Sequence, residues 1–432
     1  MEYTLIPRSK RGLNENTILP PHPYGISPEE CKYMINEATR VGAVDFAKKT
    51  ASLSLRNRVS LTPNTDDELG ELIFTGTGSA IPCKHRNVTG KYLRMSNGNA
   101  MLLDVGEGTV GQLLRILKHR KRPSDRSLFD EFRSRIRGIK AVWISHPHAD
   151  HHLGLLRLIT ERLMLCQPDD EPLLIMAPPA IFQFLSEYEL IDPRVQGSYE
   201  PLNCWDMQSG HKNPLESRLR RDLGITNCVS VPVAHCPHSY AIVMDDTAFG
   251  RLSYSGDCRP SHRFAQIGRG TDLLIHEATF EDGMEEEAVL KRHSTVGEAL
   301  AIAQEMGAKS IVLTHFSQRY PRIPPLKKAE NDSSPPNRTS GGTISSDEPI
   351  GNASISSTSL PVVFAFDFML LRPSTVCLAS ELTPALRLLY PDCADDEKVT
   401  NHPDEMNGSH STKFDAKSIL SIPGIFCERG LL

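Results

Sequence analysis

The stretch Ser145-His146-Pro147-His148-Ala149-Asp150-His151-His152 has the spacing His-x-His-x-Asp-His. Neutral imidazoles and carboxylates are nitrogen and oxygen ligands of zinc, so this spacing indicates a metal site. Residues 139–144 before it have the composition of a buried strand, and residues 153–159 after it begin a helical pattern. The run therefore lies at the carboxyl end of a strand, where α/β folds place their chemistry. This position disfavours the alternative, a surface loop that is merely rich in histidine.

Four further sites downstream also follow predicted strands: His235, Asp257, His276–Glu277 and His315. Their recurrence beside the first motif predicts one convergent site at the edge of a sheet sandwich. A single metal held by three histidines would leave the other donors unused, so we predict two zinc ions. The expected ligands are His146, His148 and His235 for the first ion, Asp150, His151 and His315 for the second, and Asp257 as the bridge.

Two zinc ions about 3.5–4 Å apart bring the pKa of bound water to about 7 and neutralise charge on a phosphate oxygen. The constellation therefore predicts a hydrolase with two Zn²⁺ per active site. Asp104 ends another predicted strand and is expected to brace the metal loop. A turn aspartate beside glycines is an equally good interpretation of Asp104.

The composition is that of an ordinary soluble globular protein, with 432 residues, 39% hydrophobic and 23% charged. A net charge of -5 argues against a wholly basic nucleic-acid binder. The 10 cysteines show no Cys-x-x-Cys spacing, which favours free thiols in a reducing compartment. The beginning of the chain resembles neither a signal peptide nor a transit helix, and no apolar run is long enough to span a membrane.

The chain is expected to divide around one catalytic domain. Residues 1–70 are predicted to be a lead-in with one helix from Pro28 to about Lys49, capped by Ser27. Residues 71–325 form the predicted catalytic domain. Residues 326–360 are rich in Ser, Pro, Asn, Gly and Thr and are predicted to be a disordered insertion. Residues 361–391 supply the last strand and helix of the domain, and residues 392–432 a flexible tail.

A basic run lies between Arg115 and Lys140, where only three acidic residues oppose ten basic ones. Such a patch attracts phosphates in a salt-dependent way. A solvated helix and loop is an equally good interpretation. The basic residues are Arg115, Lys118, Arg120, Lys121, Arg122, Arg126, Arg133, Arg135, Arg137 and Lys140.

The His-x-His-x-Asp-His run followed by His235, Asp257 and His315 resembles the pattern of the metallo-β-lactamase superfamily. This resemblance implies an αββα sandwich of two mixed β-sheets. Three short motifs narrow the resemblance to tRNase Z, the endonuclease that removes the 3′ trailer of precursor tRNA. They are Pro82-Cys83-Lys84-His85-Arg86-Asn87, His276-Glu277-Ala278-Thr279 and His293-Ser294-Thr295.

The resemblance implies hydroxide attack on the phosphodiester after the discriminator nucleotide, with Asp150 orienting the nucleophile or taking its proton. His293, held by Glu277, would give the leaving 3′-oxygen its proton. Lys84, Arg86 and Asn87 would contact the acceptor end. The alternatives are a surface residue at a helix start for His293 and a salt-bridge partner for Glu277. His152 and His238 are expected to be structural or solvated, and the role of His276 is left open.

One departure is that short tRNase Z enzymes carry a tRNA-gripping arm between the positions here numbered His235 and Asp257. This interval holds only a predicted strand pair, so the chain resembles the C-terminal half of the long form. The expected partners are precursor tRNA and a second copy or a second lobe of the same fold. The expected location is intracellular, in the nucleus, the mitochondrion or both, with the cytoplasm as a further option.

Two other functions stay open on the sequence. One is a hydrolase of small thioesters or lactams on the same fold. The other is a truncated, weakly active half that lacks the main grip on tRNA.

Overall fold

The strands are short, and most of them consist of apolar residues that are buried on both faces. A computed structural model describes residues 28–57, 70–318 with gaps at 84–85, 121–127, 166, 168–169 and 212, then 323 and 360–389. The strands are β1 (Glu71–Gly76), β2 (Gly90–Arg94), β3 (Ala100–Val105), β4 (Ile139–Trp143), β5 (Leu173–Ala177), β6 (Tyr199–Asn203), β7 (Asn227–Pro232), β8 (Tyr240–Thr247), β9 (Gly250–Tyr254), β10 (Leu273–Glu277), β11 (Ile311–Thr314), β12 (Val362–Phe364) and β13 (Leu370–Leu371).

These strands form two mixed sheets. The first has the order β13-β1-β2-β3-β4-β5-β6, and the second has the order β12-β11-β10-β9-β8-β7. In each sheet four neighbouring strands run parallel: β3 to β6 in the first and β9 to β12 in the second. The carboxyl ends of parallel strands meet at one edge, so the residues that follow them are brought together.

Helices cover the outer faces of the sheets. They are α1 (Pro28–Arg40), α2 (Ala43–Asn57), α3 (Thr109–Arg120), α4 (Leu128–Gly138), α5 (Ala149–His152), α6 (Leu155–Leu165), α7 (Pro179–Glu189), α8 (Glu216–Leu223), α9 (His262–Ile267), α10 (Glu285–Lys291), α11 (Val296–Met306), α12 (Val376–Glu381) and α13 (Thr383–Leu389). None of the helices described in the structure is long and apolar enough to cross a bilayer.

Side-chain alternation along the strands produces a layered core. Leu72 and Phe74 of β1 point between the sheets, where Trp143 and Tyr254 also lie, whereas Ile73 packs under the helices of the first sheet. The second sheet packs on α9 and α11 through a separate cluster that includes Phe264. The layers are therefore helix, sheet, sheet and helix, as the sequence predicts.

The lead-in differs from the prediction of one helix. The chain breaks at Gly42, whose φ of +79° is a left-handed conformation that favours glycine, and two helices result. Ala47 of α2 packs against Leu378, Leu382 and Ala385, so α2 joins the C-terminal helices of the folded unit.

Several elements escaped the sequence analysis, among them β2, α4, β6 and β13. The predicted cap Ser27, residues 326–359 of the insertion predicted over 326–360, and the tail predicted over 392–432 lie outside the described residues. The domain boundaries stay predictions.

Candidate metal centre

Asp257 follows β9 and lies at the middle of the converging side chains. Its Oδ2 is 3.2 Å from His151 Nε2, 3.3 Å from His315 Nε2, 3.6 Å from His146 Nε2 and 3.8 Å from His235 Nε2. One carboxylate oxygen thus faces four imidazole nitrogens that come from both sheets. This is the placement that the sequence predicts for a bridging ligand.

The remaining two residues complete a group on each side of Asp257. His148 Nδ1 is 3.0 Å from His146 Nε2 and 3.1 Å from His235 Nε2. Asp150 Oδ2 is 3.4 Å from His315 Nε2 and 3.5 Å from His151 Nε2. Zinc–nitrogen bonds of about 2.0–2.1 Å place tetrahedral ligand atoms roughly 3.3–3.4 Å apart, so these separations fit two zinc ions.

Hydrogen bonds fix the ring orientation of four of the histidines. In each ring Nδ1 bonds outward, which leaves Nε2 facing the centre. Metal-ligating histidines are held in this way by carboxylates, carbonyls or hydroxyls behind them. The pairs are His151 Nδ1 with Asp104 Oδ2 (2.9 Å), His146 Nδ1 with Ser145 Oγ (2.9 Å), His235 Nδ1 with Arg292 O (2.9 Å) and His315 Nδ1 with Thr279 Oγ1 (2.9 Å).

Two buried atoms at the centre lack a hydrogen bond. They are His151 Nε2 and Asp257 Oδ1. Buried polar atoms are nearly always hydrogen-bonded, and a bound cation is one explanation for an exception. The open atoms and the donor spacing both show that the residues present fit a pair of metal ions.

The electrostatics of four of the seven side chains suit ligands for a cation. Burial lowers the pKa of His146, His148 and His235, so these imidazoles are neutral at pH 7 and have a free lone pair. Burial opposes charge on Asp257, but His151, His315 and His146 together hold its pKa well below the usual range. Asp257 is therefore a carboxylate.

Asp104 braces the metal loop, as one of the two interpretations of the sequence predicts. Its Oδ1 accepts Ser145 N at 2.8 Å, and its Oδ2 accepts Tyr254 Oη at 2.7 Å. Tyr254 Oη in turn accepts Lys91 Nζ at 2.6 Å. Lys91 is fully buried, and burial lowers its pKa to about 8. Neither Lys91 nor Tyr254 was predicted from the sequence, because β2, which carries Lys91, was not predicted and a tyrosine at a strand end has no metal-ligand signal.

Glu277 and His293 form the second functional pair. Glu277 Oε1 is 2.9 Å from His293 Nδ1, and the carboxylate also accepts Cys258 N, Ser294 N and Thr279 Oγ1 at 2.7, 3.1 and 2.6 Å. Burial alone would lower the pKa of His293, but the adjacent Glu277 raises it to about 9. His293 Nδ1 is 4.0 Å from Asp257 Oδ2, so a protonated imidazole lies beside the metal donors.

The loop at residues 82–87 carries the three residues that were predicted to contact RNA. Lys84 lies outside the described residues. Arg86 is 2% exposed, with Nη1 donating to Thr77 Oγ1 and Ala365 O at 2.7 and 2.8 Å, so its guanidinium points into the protein. The predicted direct contact of Arg86 with RNA is therefore corrected. Asn87 is partly exposed, and its side chain donates to Glu107 O at 2.8 Å.

Two described residues of the basic run pair with carboxylates. Arg135 pairs with Glu71 at 2.6 Å, and Arg137 pairs with Asp170 at 3.0 Å. These contacts favour the interpretation as an ordinary helix surface.

The other histidines lie apart from the centre. His152 Nδ1 bonds to His148 O at 2.8 Å, and its ring packs on Phe184. His238 is in a left-handed turn with φ +61°. His276 is fully buried, and its Nδ1 is bonded to Glu277 O at 2.7 Å. We therefore interpret His276 as a structural residue.

Known proteins resemble this chain in sequence. A family model described as "Beta-lactamase superfamily domain" matches residues 102–316. "Ribonuclease Z, mitochondrial" of Drosophila melanogaster is 37% identical over 281 residues, which cover 64% of this chain and 35% of that protein. "Zinc phosphodiesterase ELAC protein 2" of Rattus norvegicus is 38% identical over 263 residues, covering 59% of this chain and 30% of that protein. The chain thus spans about a third of the length of these relatives.

The fold is also similar to a solved structure. A long form RNase Z from yeast aligns with a TM-score of 0.59 and 25% identity, covering 77% of this chain and 46% of that one. The predicted metallo-β-lactamase fold and the predicted resemblance to tRNase Z are confirmed.

Proposed function

We propose that this protein is a zinc-dependent endoribonuclease. Two findings support the proposal: residues 102–316 match the Beta-lactamase superfamily domain model, and the chain is similar to ribonuclease Z. The proposed reaction removes the 3′ trailer of precursor tRNA after the discriminator nucleotide. The observation that carries the proposal is Asp257 Oδ2 within 3.2–3.8 Å of four imidazole nitrogens, beside a protonated His293.

Seven side chains would hold two zinc ions: His146, His148, Asp150, His151, His235, Asp257 and His315. Bound zinc would supply Lewis acidity, which makes water a nucleophile at neutral pH and offsets phosphate charge. The rat relative is named a zinc phosphodiesterase, and this name supports zinc as the metal.

Asp150 is the proposed residue that orients the attacking water and accepts its proton. Its Oδ2 accepts Ala80 N at 2.8 Å, which fixes the carboxylate without using its second oxygen. The backbone at Ala80 has φ +66°, so the loop after β1 is held in a specific turn at this point. Asp150 therefore combines a role as ligand with a role in catalysis.

His293 is the proposed general acid. When water attacks phosphorus, the bond from phosphorus to the 3′-oxygen breaks and that oxygen needs a proton. His293 is protonated at neutral pH because Glu277 raises its pKa to about 9. The products would be a tRNA with a 3′-hydroxyl and a trailer with a 5′-phosphate.

The motif at residues 82–87, called the cationic loop below, has two proposed contacts with RNA, Lys84 and Asn87. No arm lies between His235 and Asp257 in the described chain, where only β8, β9 and their connections are found. We therefore propose that further RNA contacts come from a second copy or a second lobe.

A groove supports such pairing. Val110, Leu114 and Phe132 line a cavity of about 430 Å³ between α3, α4 and α6. Phe129 and Met164 at its rim are 70% and 64% exposed. Apolar side chains exposed side by side are typical of a protein–protein interface. Light scattering with Phe129→Glu would test this, since loss of a dimer is expected if two copies pair here.

The proposed place of action is the mitochondrion, which the name of the Drosophila relative supports. The nucleus and the cytoplasm remain predictions from the sequence.

A cleavage assay tests the function. Wild-type protein with zinc should release a 3′ trailer from precursor tRNA, and zinc-free protein and Asp150→Ala should not. Equal cutting by the wild type and Asp150→Ala would contradict the mechanism. Hydrolysis of a small thioester or lactam without action on RNA would contradict the substrate class.

A further inference from the structure

Asp367 lies just after β12 and connects three separate parts of the chain. Its Oδ1 accepts Thr77 Oγ1 at 2.7 Å, and its Oδ2 accepts Asn87 N at 2.6 Å. Gln112 Nε2 of α3 is 3.4 Å from the same Oδ2. One carboxylate therefore ties together the loop after β1, the end of the cationic loop and α3.

Arg86 is anchored to the same region from the other side. Its guanidinium carbon is 4.6 Å from the ring centre of Phe316 and 4.8 Å from that of Phe366. Its Nη1 donates to Thr77 Oγ1, whose hydroxyl hydrogen goes to Asp367. The result is a continuous chain of hydrogen bonds from Arg86 through Thr77 to Asp367.

This chain reaches the proposed catalytic residues. Phe316 directly follows His315, and its backbone N donates to Thr77 O at 2.9 Å. Three residues after Thr77, Ala80 N donates to Asp150. Arg86 and Asn87 are therefore connected to Asp150 through Asp367, Thr77 and the backbone that leads to Ala80.

We propose that Asp367, acting through Thr77 and Arg86, is a positioning residue that holds the cationic loop where it can bind the acceptor end of the RNA. This inference rests on the proposed function. It assigns to Asp367 an influence on the affinity for RNA without direct contact with RNA. Asp367 lies outside all the short motifs that suggested a nuclease.

A carboxylate is required here on chemical grounds. Its two oxygens accept from Thr77 and from Asn87 N, whereas an asparagine side chain has one accepting oxygen and an NH₂ group. An amide would therefore leave one of the two donors unpaired. Burial raises the pKa of Asp367 to about 6, while the hydrogen bonds from Asn87 N and Thr77 favour its charged form.

The test compares two substrates of different size on the full chain loaded with zinc. Bis(p-nitrophenyl) phosphate is a small diester that needs the metal centre but not the loop. For Asp367→Asn we expect kcat/KM on precursor tRNA to fall tenfold or more through a raised KM. On the small diester the change should stay within twofold, with two zinc ions per chain retained.

Two matched pairs isolate the mechanism. Thr77→Val removes the hydroxyl and should reproduce the loss, whereas Thr77→Ser keeps it and should restore RNA cleavage. Asp272→Asn is the control carboxylate, because Asp272 also accepts a backbone N–H, from Arg251 at 2.8 Å, at the opposite ends of the strands.

Equal losses on both substrates, or unchanged KM for RNA in Asp367→Asn, would overturn the inference. Wild-type protein that hydrolyses the diester but leaves precursor tRNA intact would contradict the proposed function instead. In that case, the affinity for uncut precursor tRNA in a filter-binding assay decides the inference, and equal affinity of wild type and Asp367→Asn would overturn it.

Discussion

His293 Nδ1 lies 2.9 Å from Glu277 Oε1, and the same carboxylate accepts three backbone N–H groups, which fix its position. Glu277 keeps the pKa of His293 near 9, above the pH at which an ordinary histidine loses its proton. The pair thereby provides a general acid that persists through neutral pH.

Glu277→Gln should lower the pKa of His293 towards its ordinary value of about 6.5. The protonated fraction at pH 8 would then fall roughly 30-fold, whereas at pH 6 it would change little. The descending limb of the pH profile of kcat should move to lower pH. The exposed Glu286→Gln is the control, and an unshifted limb in Glu277→Gln would remove His293 from the role of acid.

Asp257→Asn should abolish the paired metal site, because an amide offers one weak oxygen donor where the carboxylate faces four imidazoles. We expect fewer than two zinc ions per chain by elemental analysis. Chelator should lower the melting temperature of the wild type, since zinc stabilises only the folded state, and should lower that of Asp257→Asn by less. Full zinc content in Asp257→Asn, compared with Asp130→Asn on α4, would show that the bridge is wrongly assigned.

Lys91→Met tests the buried ammonium behind Asp104. Burial lowers the pKa of Lys91 to about 8 in the folded protein, whereas the unfolded value is about 10.4. The unfolded chain thus binds more protons between these values, so stability contributed by this group rises as pH increases through that window.

In metal-free protein, the unfolding free energy of Lys91→Met should lack a rise of about 1–2 kcal/mol between pH 7.5 and 9.5. Urea unfolding at the two pH values measures this, with the exposed Lys291→Met as control. A rise of the same size in Lys91→Met and in the wild type would show that Lys91 keeps an ordinary pKa.

Gly154→Ala should disturb the contact between two loops. A Cβ at Gly154 would lie 2.2 Å from Gly106 O, and this oxygen belongs to backbone that is itself packed beside Asp150. We expect a loss of stability of about 2–3 kcal/mol and weaker zinc binding. At Gly111 in α3 a Cβ meets only Arg115 Nη1 at 3.6 Å, so Gly111→Ala should be neutral or stabilising by up to about 1 kcal/mol. Calorimetry on both variants gives the comparison, and equal melting temperatures would contradict it.

The seven proposed metal donors could be predicted to converge because their signal is local. Each lies within a few residues of an apolar run, and the parallel strands β3, β4, β9, β10 and β11 all end at the same edge. The chemistry of imidazole and carboxylate then restricts the choice of cofactor. The same reasoning gave a bracing role as one of two interpretations of Asp104. It did not identify Tyr254 as a hydrogen-bond partner of Asp104.

Only the tertiary structure decided what lies behind those donors. The motif that contains Arg86 predicted a contact with RNA. In the structure Arg86 bonds to Ala365, 279 residues later in the chain, and packs between two phenylalanines. Lys91 is enclosed by Tyr254 from the opposite sheet. Sequence periodicity reports which face of an element is apolar, but the partner that encloses a charged side chain is set by how distant elements pack. The chain therefore specified the donors through local pattern, and the packing of the two sheets specified the groups that orient them.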